Sequence, residues 1–215
     1  MVLIAGRHPE LLEKFAGKIH AHYLPLDVSL VETHGDFLEK ACELLGGIDV
    51  LVNNAGISLH EQSFFDVTPE TFDAQIGTNL KGPFFLAQKA IAFWKKKGKG
   101  GTILFLSSET GEMADFRPYG FSKGAINSMV QGLAVLFAKD GIRVNAVAPG
   151  ITCSDMTGRD KNDDLTFSGN PLNRVYMPEE VAETACFLVS DAAGCISGQI
   201  VACNNGKSIN ARWRR

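Results

Sequence analysis

The chain has 215 residues, 45% of them hydrophobic and 21% charged, with 22 Gly and 8 Pro. That is the usage of a globular protein long enough for a sizeable core, and it excludes collagen-like, low-complexity and disordered readings. A formal net charge of −3, with basic residues scattered apart from 95–99 and the C-terminus, carries no nucleic-acid footprint; the longest charge-free stretches, 124–138 and 192–206, fall short of the ~18 apolar residues of a membrane span.

Nothing at the N-terminus reads as a signal peptide. The five cysteines are an odd number and include no CxxC pair, which argues against a disulfide framework and for a reducing cytoplasm. Along the chain, short apolar runs at 2–5, 23–26, 50–52, 102–106, 144–147 and 199–202 are bounded by Gly, Asn, Asp, Ser or Pro and predict strands. Helix-period segments lie between them at about 9–18, 30–45, 69–97, 118–139 and 179–190. This alternation predicts an α/β fold, a Rossmann-like doubly wound parallel sheet covered on both faces, in a single domain over 1–215. Thr68, Pro69 and Glu70 read as N-cap, first position and acidic first turn, and Pro178, Glu179 and Glu180 repeat the last two. Gly98 and Gly141 read as helix stops, with Gly100 and Gly101 turning into the next strand.

In an open parallel sheet, ligands bind beyond the carboxyl ends of the strands. Four successive strands end in Asp27, in Asn53, Asn54, Ala55 and Gly56, in Ser107 and Ser108, and in Pro149 and Gly150. Singly these are ordinary turn residues; together they describe a long crevice. On the helix after Ser108, Tyr119, Lys123, Ile126 and Val130 fall on one stripe that continues into Leu133 and Phe137. A lysine in line with an apolar face either snorkels to the surface or faces a pocket. In a pocket, an ammonium one turn from Tyr119 is expected to lower the phenol pKa, fitting it to exchange a proton with a substrate oxygen.

Taken in order, these residues resemble the classical short-chain dehydrogenases/reductases: Asp27-Val28, Asn53-Asn54-Ala55-Gly56, Asn79 in Thr78-Asn79-Leu80-Lys81-Gly82, Ser107-Ser108, Tyr119 to Lys123, and Arg143 to Gly150. Pro178 to Ala182 and Ser197-Gly198-Gln199 extend the resemblance to about Gly206. It implies a nicotinamide-dependent oxidoreductase acting on a ketone or 3-oxoacyl carbonyl, or on the corresponding alcohol. It also implies a catalytic tetrad: Tyr119 as general acid and base, Ser108 as donor to the substrate carbonyl, Lys123 holding the nicotinamide ribose and depressing the Tyr119 pKa, and Asn79 positioning a water. The 11-residue spacing from Ser108 to Tyr119 is tighter than the family commonly shows, which trims the substrate wall at 111–117.

For the cofactor, the resemblance implies Asp27 and Val28 at the adenine, Asn54, Ala55 and Gly56 beside the adenosine ribose, and Pro149, Gly150, Thr152 and Ser154 at the carboxamide. Gly6 and Arg7 stand where NAD-preferring members carry an acidic residue. A guanidinium can pair with a 2′-phosphate, so NADP(H) is expected over NAD(H). The segment 155–175 resembles a substrate lid, and the helices over 69–97 and 118–139 imply a homo-oligomer, a tetramer or dimer. The resemblance begins at the family's second strand, with no counterpart in these residues to the glycine-rich strand-turn-helix unit that supplies the middle strand of the sheet. That opens an alternative, a truncated or catalytically silent scaffold with impaired cofactor binding. His20 and His22 would share a strand face, but no third ligand is evident and no metal site is assigned. Cys153 reads as a small buried hydrophobe, Asp163 and Asp164 as solvated, and Arg212, Trp213, Arg214 and Arg215 as a basic tail of unassigned use.

Overall fold

In a computed structural model, described over residues 1–209, the strands β1 (Leu3–Gly6), β2 (His22–Pro25), β3 (Val50–Asn53), β4 (Gly101–Leu106), β5 (Ile142–Pro149) and β6 (Ile200–Cys203) coincide with the six apolar runs. The helices are α1 (Pro9–Ile19), α2 (His34–Leu45), α3 (Pro69–Ile76), α4 (Gly82–Lys97), α5 (Pro118–Phe137) and α6 (Pro178–Val189). The basic tail lies outside the described residues. Every strand pairing is parallel, so within each sheet the carboxyl ends open on one side.

The strands form two sheets, β1-β2 and β3-β4-β5-β6, so β3 is hydrogen-bonded along one edge only. Both contribute to one apolar cluster, in which Leu3, Leu24 and Leu26 join Leu38, Trp94, Ile126 and Val130. Helix α1 leaves Leu11, Phe15 and Ile19 exposed at helical spacing, and β3 leaves Val50 and Val52 exposed. The larger sheet is covered on both faces. Side chains alternate across a strand, and β4 sends Ile103 and Phe105 into the cluster with α2, α4 and α5, and Leu104 and Leu106 into the cluster with α6. Trp94 is fully buried and donates its indole N–H to the Ile48 carbonyl at 2.7 Å, tying α4 to the approach of β3.

The expected helix ends form. Thr68 Oγ1 accepts from the Thr71 amide at 3.3 Å, Pro69 and Pro178 open α3 and α6, and Glu180 accepts from the Met177 amide at 2.8 Å. Gly98 caps α4 with φ of 64° and Gly141 has φ of 69°, conformations in which a Cβ is strained. Two expectations are corrected. His20 is the left-handed cap of α1 and only His22 lies in β2, so the pair shares no strand face. The continuous apolar period over 69–97 does not give one helix: a π-helical turn, Gly77–Lys81, separates α3 from α4. Such turns recur at functional sites, where one extra residue re-aims a side chain, and this one carries Asn79. The turn ends at Gly82, packed so closely on the preceding loop that a Cβ there would lie 2.3 Å from the Val28 carbonyl oxygen.

Candidate active site

Ser108 follows β4 in extended conformation and caps a 3-10 turn, Glu109–Glu112. Its Oγ accepts from the Thr110 hydroxyl at 3.0 Å and from the Thr110 amide at 3.3 Å, which leaves its own proton free to donate. Tyr119 lies on the first turn of α5, near enough to Ser108 for that hydroxyl to favour the ionised phenol. One turn later Lys123 is 4% exposed, and its Nζ lies 5.6 Å from the Tyr119 ring centroid. The lysine therefore faces a pocket rather than snorkelling outward. From the π-helical turn, Asn79 Oδ1 accepts from the Ile57 amide at 2.8 Å and Nδ2 donates to the Ile57 carbonyl at 2.9 Å, pinning the segment after β3. Asn79 Oδ1 and Lys123 Nζ each lie 3.5 Å from the point a Gly56 Cβ would occupy, so the side chains expected in the tetrad converge from α5, the π-helical turn and the end of β4.

The electrostatics depart from the sequence-based expectation. Burial pushes Tyr119 above the usual phenol range, opposed by its hydrogen bond to Ser108 and the charge of Arg117. The Lys123 ammonium, 5.6 Å from the ring centroid, does not bring it below that range. Burial pushes Lys123 itself down to about 8. Nζ donates to the Leu106 carbonyl at 2.6 Å, so the hydrogen bond found for the ammonium goes to the backbone at the end of β4 rather than to the phenol oxygen.

The residues expected to hold a cofactor line the carboxyl ends of the strands. Arg7 is exposed just past β1, close enough to Asp27 to contribute to its lowered pKa. The main cause there is Ser29, whose hydroxyl and amide donate to Asp27 Oδ1 at 2.7 and 2.9 Å. Val28 is buried against Gly82, and its carbonyl accepts from His34 Nε2 at 2.9 Å. Asn54 and Ala55 are exposed past β3, next to the buried Asn53, whose Nδ2 has no partner. Beyond β5, Thr152 Oγ1 donates to the Gly150 carbonyl at 2.9 Å, Cys153 is buried as a small hydrophobe, and Ser154 is exposed. Asp163 and Asp164 are exposed, as expected. The segment after Ser154 is anchored by Val175 and Tyr176, both buried, and by the Arg174–Glu180 ion pair at 2.7 Å.

Several residues escaped sequence reasoning. Glu109, directly after Ser108, is buried and accepts from Lys207 Nζ at 2.6 Å across 98 residues of chain. Its second oxygen and the Tyr176 hydroxyl are both buried without partners, and that oxygen and the Tyr176 ring both lie close to the point a Gly150 Cβ would occupy. An acid beside the serine is visible in the sequence, but its counterion is not. A cavity of about 590 Å³ adjoins Ser108 through Thr110 and is lined by Glu61, Gln62, Met113, Asp115, Phe116 and Arg117 among others. A second cavity of about 550 Å³ is bordered by Val50, Thr102 and Ile142, at the amino ends of their strands, remote from every candidate catalytic group.

A family model described as enoyl-(acyl carrier protein) reductase matches residues 1–208. The chain is similar to an L-rhamnose-1-dehydrogenase of Scheffersomyces stipitis, 35% identical over 208 residues, covering 94% of this chain and 80% of the relative. Among solved structures it is similar to 3-ketoacyl-(acyl-carrier-protein) reductase from Brucella melitensis complexed with NADH, with a TM-score of 0.89 and 30% identity over 97% of this chain and 88% of that one. A gluconate 5-dehydrogenase from Burkholderia cenocepacia in complex with NADP and tartrate gives a TM-score of 0.87 at 26% identity, covering 97% and 86%.

Proposed function

The chain belongs to the short-chain dehydrogenase/reductase family, and from that premise we propose that it interconverts a carbonyl and an alcohol, of ketone or 3-oxoacyl type, with Tyr119 as general acid and base. The convergence of Ser108, Tyr119 and Lys123 in one desolvated pocket carries the reading. The nicotinamide cofactor, when bound, supplies or accepts the hydride. The residues present suit it: the unpartnered Asn53 amide, the exposed Asn54 and Ala55, and the hydroxyls of Thr152 and Ser154 all lie at strand carboxyl ends. On this reading Asp27, Val28, Asn54, Ala55 and Gly56 hold the adenosine half, and Pro149, Gly150, Thr152 and Ser154 the carboxamide. The exposed guanidinium of Arg7 favours NADP(H) over NAD(H) by pairing with the 2′-phosphate.

Ser108 has a free proton to donate to the carbonyl oxygen, where negative charge develops as the hydride arrives. Tyr119 releases its proton to the same oxygen in reduction and recovers it in oxidation. Burial raises the phenol pKa, which favours the protonated form that acts as the acid in reduction. Lys123 contributes positive charge beside the ring and a donor for the nicotinamide ribose; Asn79 orders the segment after Gly56. The segment 155–175 serves as the substrate lid. The exposed Phe84 on α4 and Phe121, Val135 and Leu136 on α5 support association of copies through these helices, as a tetramer or dimer. No helix among the described residues is long and apolar enough to cross a membrane, and five unpaired cysteines suit the cytoplasm.

The unpaired edge of β3 favours one second reading, a catalytically silent scaffold that binds cofactor weakly. NADPH absorbance followed against a panel of ketones and 3-oxoacyl thioesters separates the two. Turnover that falls about 100- to 10,000-fold in Tyr119→Phe, with NADPH binding retained, supports the enzyme. Equal turnover in both proteins removes Tyr119 from the chemistry, and absence of NADPH binding by the 215-residue chain selects the scaffold.

A further inference from the structure

The turn Glu109–Glu112 places the Ser108 hydroxyl, because Ser108 Oγ takes both of its hydrogen bonds from Thr110 of that turn. The turn in turn is seated on α5: Asn127 Nδ2 donates to the Gly111 carbonyl at 3.3 Å, and a Cβ on Gly111 would lie 2.8 Å from the Lys123 carbonyl carbon. Its two ends are held by consecutive residues that follow β6. Lys207 Nζ donates to Glu109 Oε1 at 2.6 Å, and Ser208 Oγ donates to Glu112 Oε2 at 2.7 Å, across 98 and 96 residues of chain.

The holding segment is itself ordered. Asn204 is buried; its Nδ2 donates to Ser208 Oγ at 3.0 Å and its Oδ1 accepts from the Gly206 amide at 3.1 Å. Glu109 is buried too, so water cannot replace Lys207, and removing the ammonium would leave an uncompensated buried charge. That charge bears on the general acid. Burial is the largest cause of the raised Tyr119 phenol; the charges of Glu109 and of Asp115, on the loop before α5, add to it, against Ser108 and Arg117. The other ionisable groups here are Lys123 on α5, 5.6 Å from the Tyr119 ring centroid, and Tyr176 before α6, whose own phenol is raised by burial first and by Glu109 second. The cation that balances Glu109 comes from the far end of the chain.

We propose that Lys207 is a positioning residue for the reaction: paired with Glu109, and with Ser208 bound to Glu112, it fixes the turn that aims the Ser108 hydroxyl and supplies the countercharge to the carboxylate next to that serine. The residues after β6 act on the reaction through Ser108 and Glu109. This rests on the carbonyl oxidoreductase reading above and adds to it a determinant of rate from the far end of the chain.

The test follows kcat and KM with NADPH and the most active ketone of the panel. Ser108 donates to an oxygen whose charge develops in the transition state, so a misplaced hydroxyl lowers kcat and leaves the KM for NADPH. Lys207→Met should lower kcat roughly 10- to 100-fold, with the KM for NADPH within about 2-fold of the wild type. Lys207→Arg keeps the charge and should recover most of the loss. Ser208→Ala should lower kcat about 3-fold. Unchanged kcat in a folded Lys207→Met, or a loss that Lys207→Arg does not recover, overturns the assignment. If circular dichroism shows that Lys207→Met does not fold, Ser208→Ala decides, and unchanged kcat there overturns it. Tyr119 reports on the pair without turnover. Ultraviolet titration of its phenol, taken as the difference from Tyr119→Phe, should move to lower pH in Glu109→Gln, because a like charge is gone; a phenol that titrates as in the wild type refutes the countercharge. That shift in a protein that turns over no ketone keeps the pair and removes the oxidoreductase reading, whereas Tyr119-dependent turnover whose kcat ignores Lys207 does the reverse.

Discussion

Replacing Lys123 with Met tests the pocket through its effect on stability. Burial takes the ammonium from its ordinary 10.5 to about 8, a difference of roughly 2.5 units, and at 1.36 kcal/mol per unit holding it charged in the folded protein costs about 3 kcal/mol. The unfolded chain binds the proton more tightly than the native one. The native protein therefore gains stability as pH rises from about 8 to 10.5, and the penalty is fully present below 8. Lys123→Met is isosteric in reach and carries no charge, so it removes this contribution. It also strips the Leu106 carbonyl of its donor, an offset of about 1–3 kcal/mol that persists at high pH because a neutral amine donates too. Urea unfolding of both proteins at intervals from pH 7 to 10.5 isolates the effect, since every other lysine and tyrosine is common to the two. The difference, Met minus wild type, should move by about 3 kcal/mol against the variant across the range. Parallel pH curves would show that Lys123 is not desolvated in the native protein, and the argument for a dry catalytic pocket would fail with it.

Arg7→Ala should lower the ratio of kcat/KM for NADPH over NADH, and equal ratios in both proteins would withdraw the 2′-phosphate reading. Gly82→Ala should cost about 1–3 kcal/mol, read from urea midpoints, because the new methyl meets the Val28 carbonyl; unchanged stability would mean that this approach relaxes freely. Burial holds the His34 pKa below its ordinary 6.5, so unfolding is favoured by protonation: the contribution is intact above about 6.5 and is lost as pH falls through the lowered native value. His34→Gln should therefore flatten the stability curve between pH 7 and 5, and an identical acid limb would refute it.

The inventory of elements was legible in the sequence because each strand and helix is set by near-neighbour periodicity and by turn residues such as Thr68, Pro69 and Gly98. The four-residue spacing of Tyr119 and Lys123 was legible for the same reason, since a helix places i and i+4 on one face whatever surrounds it. The break at Gly77–Lys81 was not, because the apolar period runs through it. Nor was the partner of Lys123. Local spacing put its ammonium near the Tyr119 hydroxyl, while desolvation between α5 and β4 delivered it to the Leu106 carbonyl. The Glu109–Lys207 pair likewise depends on residues far apart in the chain. Sequence determined which groups are available at the carboxyl ends of a parallel sheet; the tertiary structure decided which of them lose water, and desolvation is what turns a lysine, a tyrosine and a glutamate from surface charges into a site.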